Sequence, residues 1–175
     1  MSMKIVYEIN VTEKQHKEIM MLRNQSFPKH QVSRSYFKQL PHFRALQYEG
    51  DVLIGYLGLD YRVIKVGNEV HRVLGVVDFC VAEHYRGQGI GTFMLSEIAL
   101  FAEGKGVDFI ILVSELQSFY SARGYIQVKE TNSWLRLHEH TNYGVAVEHV
   151  DELYIKPMNA KTWGGGHIDW LGYMF

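Results

Sequence analysis

Three features of the sequence predict an α/β domain with a mixed, mostly antiparallel central sheet and flanking helices. They are short apolar runs joined by two-residue turns, a glycine-rich loop between a buried run and a helix, and one strand–loop–helix–strand crossover. The chain has 175 residues, 47% of them hydrophobic. That is enough for one well-buried core and short for two, so a single domain over residues 1–175 is expected.

Lys4 to Ile9 reads as a strand. Thr12 and Gln15 then stand at capping-box spacing and open a helix that should end near Pro28. Lys29 to Pro41 is polar with scattered aromatics and reads either as a short second helix or as a mobile flap. From Phe43 the turn pairs Gly50-Asp51 and Gly67-Asn68 separate apolar runs, as in an antiparallel meander. The last of these runs, about Val70 to Val81, is almost continuously apolar, which suits a strand covered on both faces. Leu95, Ile98, Ala99 and Ala102 mark one face of a helix that stops at Gly104 and Gly106. Phe109 to Val113 follows as a buried strand, and a right-handed crossover makes it parallel to the Val70–Val81 strand.

Eighteen Lys plus Arg against nineteen Asp plus Glu give a net charge of -1, which argues against a general nucleic-acid binder. A lone cysteine, Cys80, cannot close an internal disulfide. Lys4 and Glu8 interrupt the first apolar run, so no signal peptide is read there and a cytoplasmic location is expected. No apolar run approaches the roughly 20 residues that cross a bilayer, so no membrane partner is expected.

Arg86-Gly87-Gln88-Gly89-Ile90-Gly91 places three glycines between a buried strand and a helix start. There backbone N–H groups and the positive end of the helix dipole converge, an arrangement that suits a pyrophosphate. Arg86 can add a charge-assisted contact and Thr92 a hydroxyl. The loop lacks the Lys-Ser/Thr ending of a Walker A loop. Phe109–Val113 ends in Ser114, where a Rossmann fingerprint would carry an acid.

The segment Val77-Asp78-Phe79-Cys80-Val81-Ala82-Glu83-His84-Tyr85-Arg86-Gly87-Gln88-Gly89-Ile90-Gly91 resembles the acetyl-CoA motif of the GCN5-related N-acetyltransferase (GNAT) superfamily, Arg/Gln-x-x-Gly-x-Gly/Ala. Phe119-Tyr120-Ser121-Ala122-Arg123-Gly124-Tyr125 resembles that superfamily's second motif. The resemblance spans residues 4–130, with 131–175 as an extension packed on that part. It implies the GNAT fold, with Phe79, Cys80 and Val81 along the pantetheine arm and Arg86 to Thr92 at the pyrophosphate. It implies direct acetyl transfer to an amine, with Tyr120 protonating the departing thiolate; the alternative for Tyr120 is a packed core aromatic.

Related enzymes often carry a Glu or His base at positions that are here Gly75 or Val77, neither of which takes a proton. Asp78 is the nearby carboxylate, but alternation turns it away from the face of Val77 unless a bulge intervenes. A general base and a buried structural carboxylate are both open for it, and Asp60 through water is a further route. Cys80 has no His or Asp arrangement marking it as a nucleophile, so covalent catalysis is discounted.

His138-Glu139-His140 puts two imidazoles on one face of a strand, but without further ligands surface histidines are the simpler account and no metal is expected. The tail from Trp163 to Phe175 is too aromatic to be left in water and should dock on the domain. It faintly resembles the tails of aminoglycoside 2'-N-acetyltransferases and of the nodulation N-acyltransferase. In that reading Asp169 and the carboxylate of Phe175 bind a cationic amino-sugar; the alternative is a stabilising tail. The expected function is transfer from acetyl-CoA to a small primary amine. A longer acyl donor and a non-catalytic CoA-binding module are the alternatives.

Overall fold

The computed structural model describes residues 2–175 and divides into two compact units, 2–60 with 76–101 and 61–75 with 102–175. Two long strands, β3 (Val52–Val66) and β4 (Glu69–Val81), contribute one end to each.

In the first unit β1 (Met3–Tyr7) pairs antiparallel with β2 (Phe43–Glu49), and β2 with β3. Between β1 and β2 lies α1 (Glu13–Ser26), opened by a true capping box: Thr12 Oγ1 accepts the Gln15 N–H at 3.2 Å, and the Gln15 side chain accepts the Thr12 N–H at 2.9 Å. Ile19 and Leu22 of α1 pack on Leu46, Leu53, Tyr56 and Cys80, the core of this unit. Of the segment from Lys29 to Pro41 only the start is helical, in one 3-10 turn over Pro28–His30, and the chain beyond it forms no helix. The Asn24 side chain clasps the backbone of Val32, donating to its carbonyl at 2.7 Å and accepting its N–H at 3.1 Å.

Arg44 anchors the same segment from below. Its side chain is fully buried and donates to Glu8, to the Tyr56 hydroxyl and to the carbonyl and hydroxyl of Ser35. Burial works against its charge, but the Tyr56 phenol and the Glu8 carboxylate outweigh it and hold the Arg44 pKa above its ordinary value.

The second unit closes on itself. β4 runs parallel to β5 (Phe109–Val113), from Val73 opposite Phe109 to Gly75 opposite Ile111. β5 pairs antiparallel with β7 (Thr141–Pro157), and β7 with β6 (Ile126–His138). β8 (Ile168–Tyr173) lies parallel to β6 and antiparallel to the end of β3 at Lys65 and Val66. Since β3 neighbours β4, the strands of this unit join in a ring, which leaves no edge between β8 and β4. Ile64, Val66, Val73, Phe109, Ile111, Leu153, Ile168 and Trp170 fill its interior. The tail is thus a strand whose Trp170 is fully buried, its indole N–H donating to Asn132 Oδ1 at 2.8 Å.

α2 (Ile90–Ala102) buries Leu95, Ile98 and Ala102 as its periodicity requires, together with Met94. His138-Glu139-His140 differs from its reading as strand. Glu139 and His140 take positive φ, 48° and 60°, and make the two-residue turn between β6 and β7. The imidazoles of His138 and His140 therefore do not share a strand face. No described helix is long and apolar enough to cross a membrane.

Replacing Arg44 by Ala leaves the Glu8 carboxylate and the Tyr56 hydroxyl without their buried partner. Urea unfolding should show a loss of about 3–5 kcal/mol, the scale for breaking one side of a buried charge pair. A loss below 1 kcal/mol would show that water replaces the guanidinium.

Candidate active site

The first unit carries the glycine loop and the strand that leads into it. Inside β4, Asp78 adopts φ 50°, a left-handed conformation that a non-glycine residue seldom takes. Packing shows the consequence. Cys80 packs in the cluster that includes Tyr56, and Val77 Cγ2 lies 3.1 Å from where a Cβ on Gly58 would stand, two residues along β3 from Tyr56. Residues 77 and 80 share a face only if one extra residue interrupts the alternation, so Asp78 is a bulge.

The bulge turns the Asp78 carboxylate toward α1. There Arg23, itself 1% exposed, donates from Nε at 3.0 Å and from Nη2 at 3.4 Å. The guanidinium also donates to the His30 carbonyl and stands against the rings of Phe27 and Phe37. Both carboxylate oxygens of Asp78 thus face a fixed cation, an arrangement suited to holding the bulge. Cys80, two residues on, is buried, and burial pushes its thiol up to about 12.

Beyond β4 comes a single 3-10 turn, Glu83–Tyr85, and then the loop. Gly87 and Gly89 take φ 75° and 81°, values open to glycine and strained for other residues. No heavy atom lies within 4 Å of the position a Cβ would take on either one, and both are exposed. What confines these positions to glycine is therefore backbone conformation, and the space above them stays open to an anion. α2 begins at Ile90, so the N–H groups of its first turn have no carbonyl inside the helix to meet. Arg86 Nε folds back onto the Val81 carbonyl at 3.0 Å, and Gln88 closes the loop on the His84 carbonyl at 2.9 Å.

The second unit holds the other predicted residues. Tyr120 lies on α3 (Gln117–Ser121), 5% exposed, stacked on Tyr154 at 5.7 Å and edge-on to Tyr125 at 5.5 Å. Burial pushes its phenol up to about 12, against a smaller opposing pull from the Ser114 hydroxyl bonded to it, so the group is a proton donor throughout the neutral range. Packed core aromatic and acid are compatible descriptions of this residue.

Asp169 spends one carboxylate oxygen locally, accepting the Leu171 N–H at 2.9 Å. The Phe175 ring is edge-on to Trp170 at 5.0 Å and covers Gly75, where a Cβ would fall 2.0 Å from its Cζ. Sequence reasoning missed the hub of this cluster, Arg62. Its guanidinium stands 4.5 Å from Tyr173, 4.7 Å from Phe175 and 5.4 Å from Trp170, and it donates to the Tyr173 carbonyl. Arg23, Arg44 and His42 were missed as well. Nothing local marks them, because Asp78 lies 55 residues from Arg23, Glu8 lies 36 from Arg44, and Asp60 lies beyond the β2–β3 turn from His42.

Gly75→Ala should expel the Phe175 ring and cost about 1–3 kcal/mol in chemical unfolding, the range for overpacking. Gly75→Ala with Phe175→Ala should recover most of that loss. Equal instability of the single and double variants would show that the ring does not set the constraint.

Residues 42–127 match the family model described as an acetyltransferase (GNAT) domain. Among curated proteins, a putative glycylpeptide N-tetradecanoyltransferase of Melanoplus sanguinipes entomopoxvirus is 31% identical over 67 residues. That match takes in 38% of this chain and 22% of the viral protein, so the chain spans about a fifth of the length of that relative. Two solved structures share the fold over most of both chains. ElaA of Escherichia coli superposes with a TM-score of 0.63 at 17% identity, over 89% of this chain and 99% of its own. The GNAT family N-acetyltransferase YhbS of Escherichia coli, solved in complex with CoA, gives 0.62 at 13% identity over 96% and 88%. With both motifs, the mixed sheet and these matches in agreement, residues 42–127 form an acetyltransferase domain of the GCN5-related N-acetyltransferase (GNAT) superfamily, and the chain has the GNAT fold.

Proposed function

We propose that the protein transfers the acetyl group of acetyl-CoA directly to the primary amine of a small molecule, with amino-sugars among the acceptors. The observation that carries this reading is the open glycine loop, with Gly87 and Gly89 in left-handed conformation ahead of α2. Its convergent N–H groups suit the pyrophosphate of CoA. Along β4, the backbone of Phe79 and Val81 just past the bulge would take the amides of the pantetheine arm as a strand takes an added peptide. Tyr120 would protonate the departing thiolate, a role its protonated phenol supports. A longer acyl donor is the second reading, favoured by the similarity to a protein named as a tetradecanoyltransferase.

Calorimetry with CoA and acetyl-CoA tests the loop. Binding by the wild type should be lost in the double variant Gly89→Val, Gly91→Val, and no binding by the wild type would sink the reading. Acetyl-, hexanoyl- and tetradecanoyl-CoA should then be offered with glucosamine, kanamycin, spermidine and a glycine-led peptide. Turnover fastest with acetyl-CoA supports the first reading and turnover fastest with tetradecanoyl-CoA the second. Binding without any turnover identifies a CoA-binding module. In the turning-over system Tyr120→Phe should lower kcat by about 10²-fold or more, with CoA affinity kept.

A further inference from the structure

Transfer to an amine needs a group that removes a proton from nitrogen, and the carboxylates of the first unit differ in how they are engaged. Glu8 is clamped by buried Arg44, and Asp78 by buried Arg23. Glu18 accepts the Tyr48 hydroxyl at 2.6 Å. Asp60 is different. Its side chain is 4% exposed, and its Oδ1 stands 2.7 Å from Nδ1 of His42, whose own side chain is 55% exposed. A buried carboxylate at Nδ1 holds the proton on that nitrogen and turns the basic lone pair to Nε2 at the far side of the ring. The backbone is fixed too, because the His42 N–H donates to the Leu59 carbonyl at 2.9 Å.

The pair also sits where a base would be needed. Asp60 lies two residues along β3 from Gly58, hence on the same face. A Cβ at Gly58 would meet Pro41, the neighbour of His42, and Val77, the last residue before the bulge, each at 3.1 Å. Asp60, which holds the imidazole, thus lies on the face of β3 that Gly58 and its neighbour Val77 share. Unlike Glu8 and Asp78, which face buried guanidinium groups, Asp60 pairs with a proton acceptor that solvent reaches.

We infer that His42 is the general base of the transfer and that Asp60 is its positioning residue; this rests on the acyl-transfer reading above. Nε2 of His42 takes one proton from the acceptor ammonium, and the neutral nitrogen attacks the thioester carbonyl carbon. The C–N bond forms, the C–S bond breaks, and sulfur leaves with the electron pair and receives the second proton of the nitrogen through solvent, so one proton, the one taken by His42, is released per turnover.

The test uses acetyl-CoA with the fastest acceptor among glucosamine, kanamycin, spermidine and a glycine-led peptide. His42→Ala should lower kcat/KM by about 10²-fold or more while calorimetric CoA affinity stays at the wild-type value, and added imidazole should restore turnover in a concentration-dependent way. Asp60→Asn should lower kcat with CoA affinity kept and show no response to imidazole. Wild-type rates in His42→Ala, or a loss that imidazole does not relieve while CoA still binds, overturns the assignment of the base and leaves the transfer reading standing. No turnover of any of these amines by the wild type overturns the transfer reading, and the base with it.

Discussion

The geometry of the first unit turns on the ion pair between Arg23 and Asp78. A left-handed residue inside a strand costs about 1–2 kcal/mol, and here it is retained because a guanidinium 1% exposed meets the carboxylate that the bulge swings toward α1. Once Asp78 is fixed, alternation is shifted by one residue, Cys80 enters the α1-side core, and the backbone of Phe79 and Val81 leaves the register of the strand before it. Arg23 also holds the His30 carbonyl, so one side chain ties α1, the segment after it and the bulge into a single arrangement. The loop that begins at Arg86 inherits its entry angle from this arrangement, since Arg86 bonds back to the Val81 carbonyl.

The second unit uses a different device. Its ring closes through β8, so the tail is part of the core and not an appendage to it. Trp170 fills the interior, while Arg62 gathers Trp170, Tyr173 and Phe175 around one cation. A guanidinium stacks on aromatic faces with little desolvation of its own, which lets the aromatic tail be held without a long apolar helix to cover it. One product of that packing is the Phe175 ring over Gly75. A glycine at that position matches the ring, and a carboxylate-bearing side chain there would have to displace it.

What was legible in the sequence was local. The capping box of Thr12 and Gln15, the turns at Gly50-Asp51 and Gly67-Asn68, the helix face of Leu95 and Ile98, and the parallel pairing of β4 with β5 all follow from short-range spacing. Glycine at 87 and 89 was legible for the same reason, because a backbone angle is a property of one residue. The failures are of two kinds. Arg23 with Asp78 and His42 with Asp60 are separated by many residues, and no spacing rule links them. Glu139 and His140 make a turn that usually asks for Asn or Gly, so a segment whose alternation suggested strand was in fact the place where the strand reverses.

The thiol of Cys80 decides between two chemical routes under the transfer reading. With its pKa pushed up to about 12 by burial, the thiol keeps its proton at neutral pH. The cysteine also packs among Ile19, Leu22, Leu46 and Tyr56, which an acyl group on its sulfur would have to displace. An acyl-enzyme on Cys80 would therefore need both an ionisation that burial opposes and a repacking of the core around it. The amine must then attack the thioester itself, and two proton transfers replace one covalent intermediate. A phenol that stays protonated and an imidazole that stays accessible are the two kinds of group that such a route requires, and Tyr120 and His42 meet those descriptions each within its own unit.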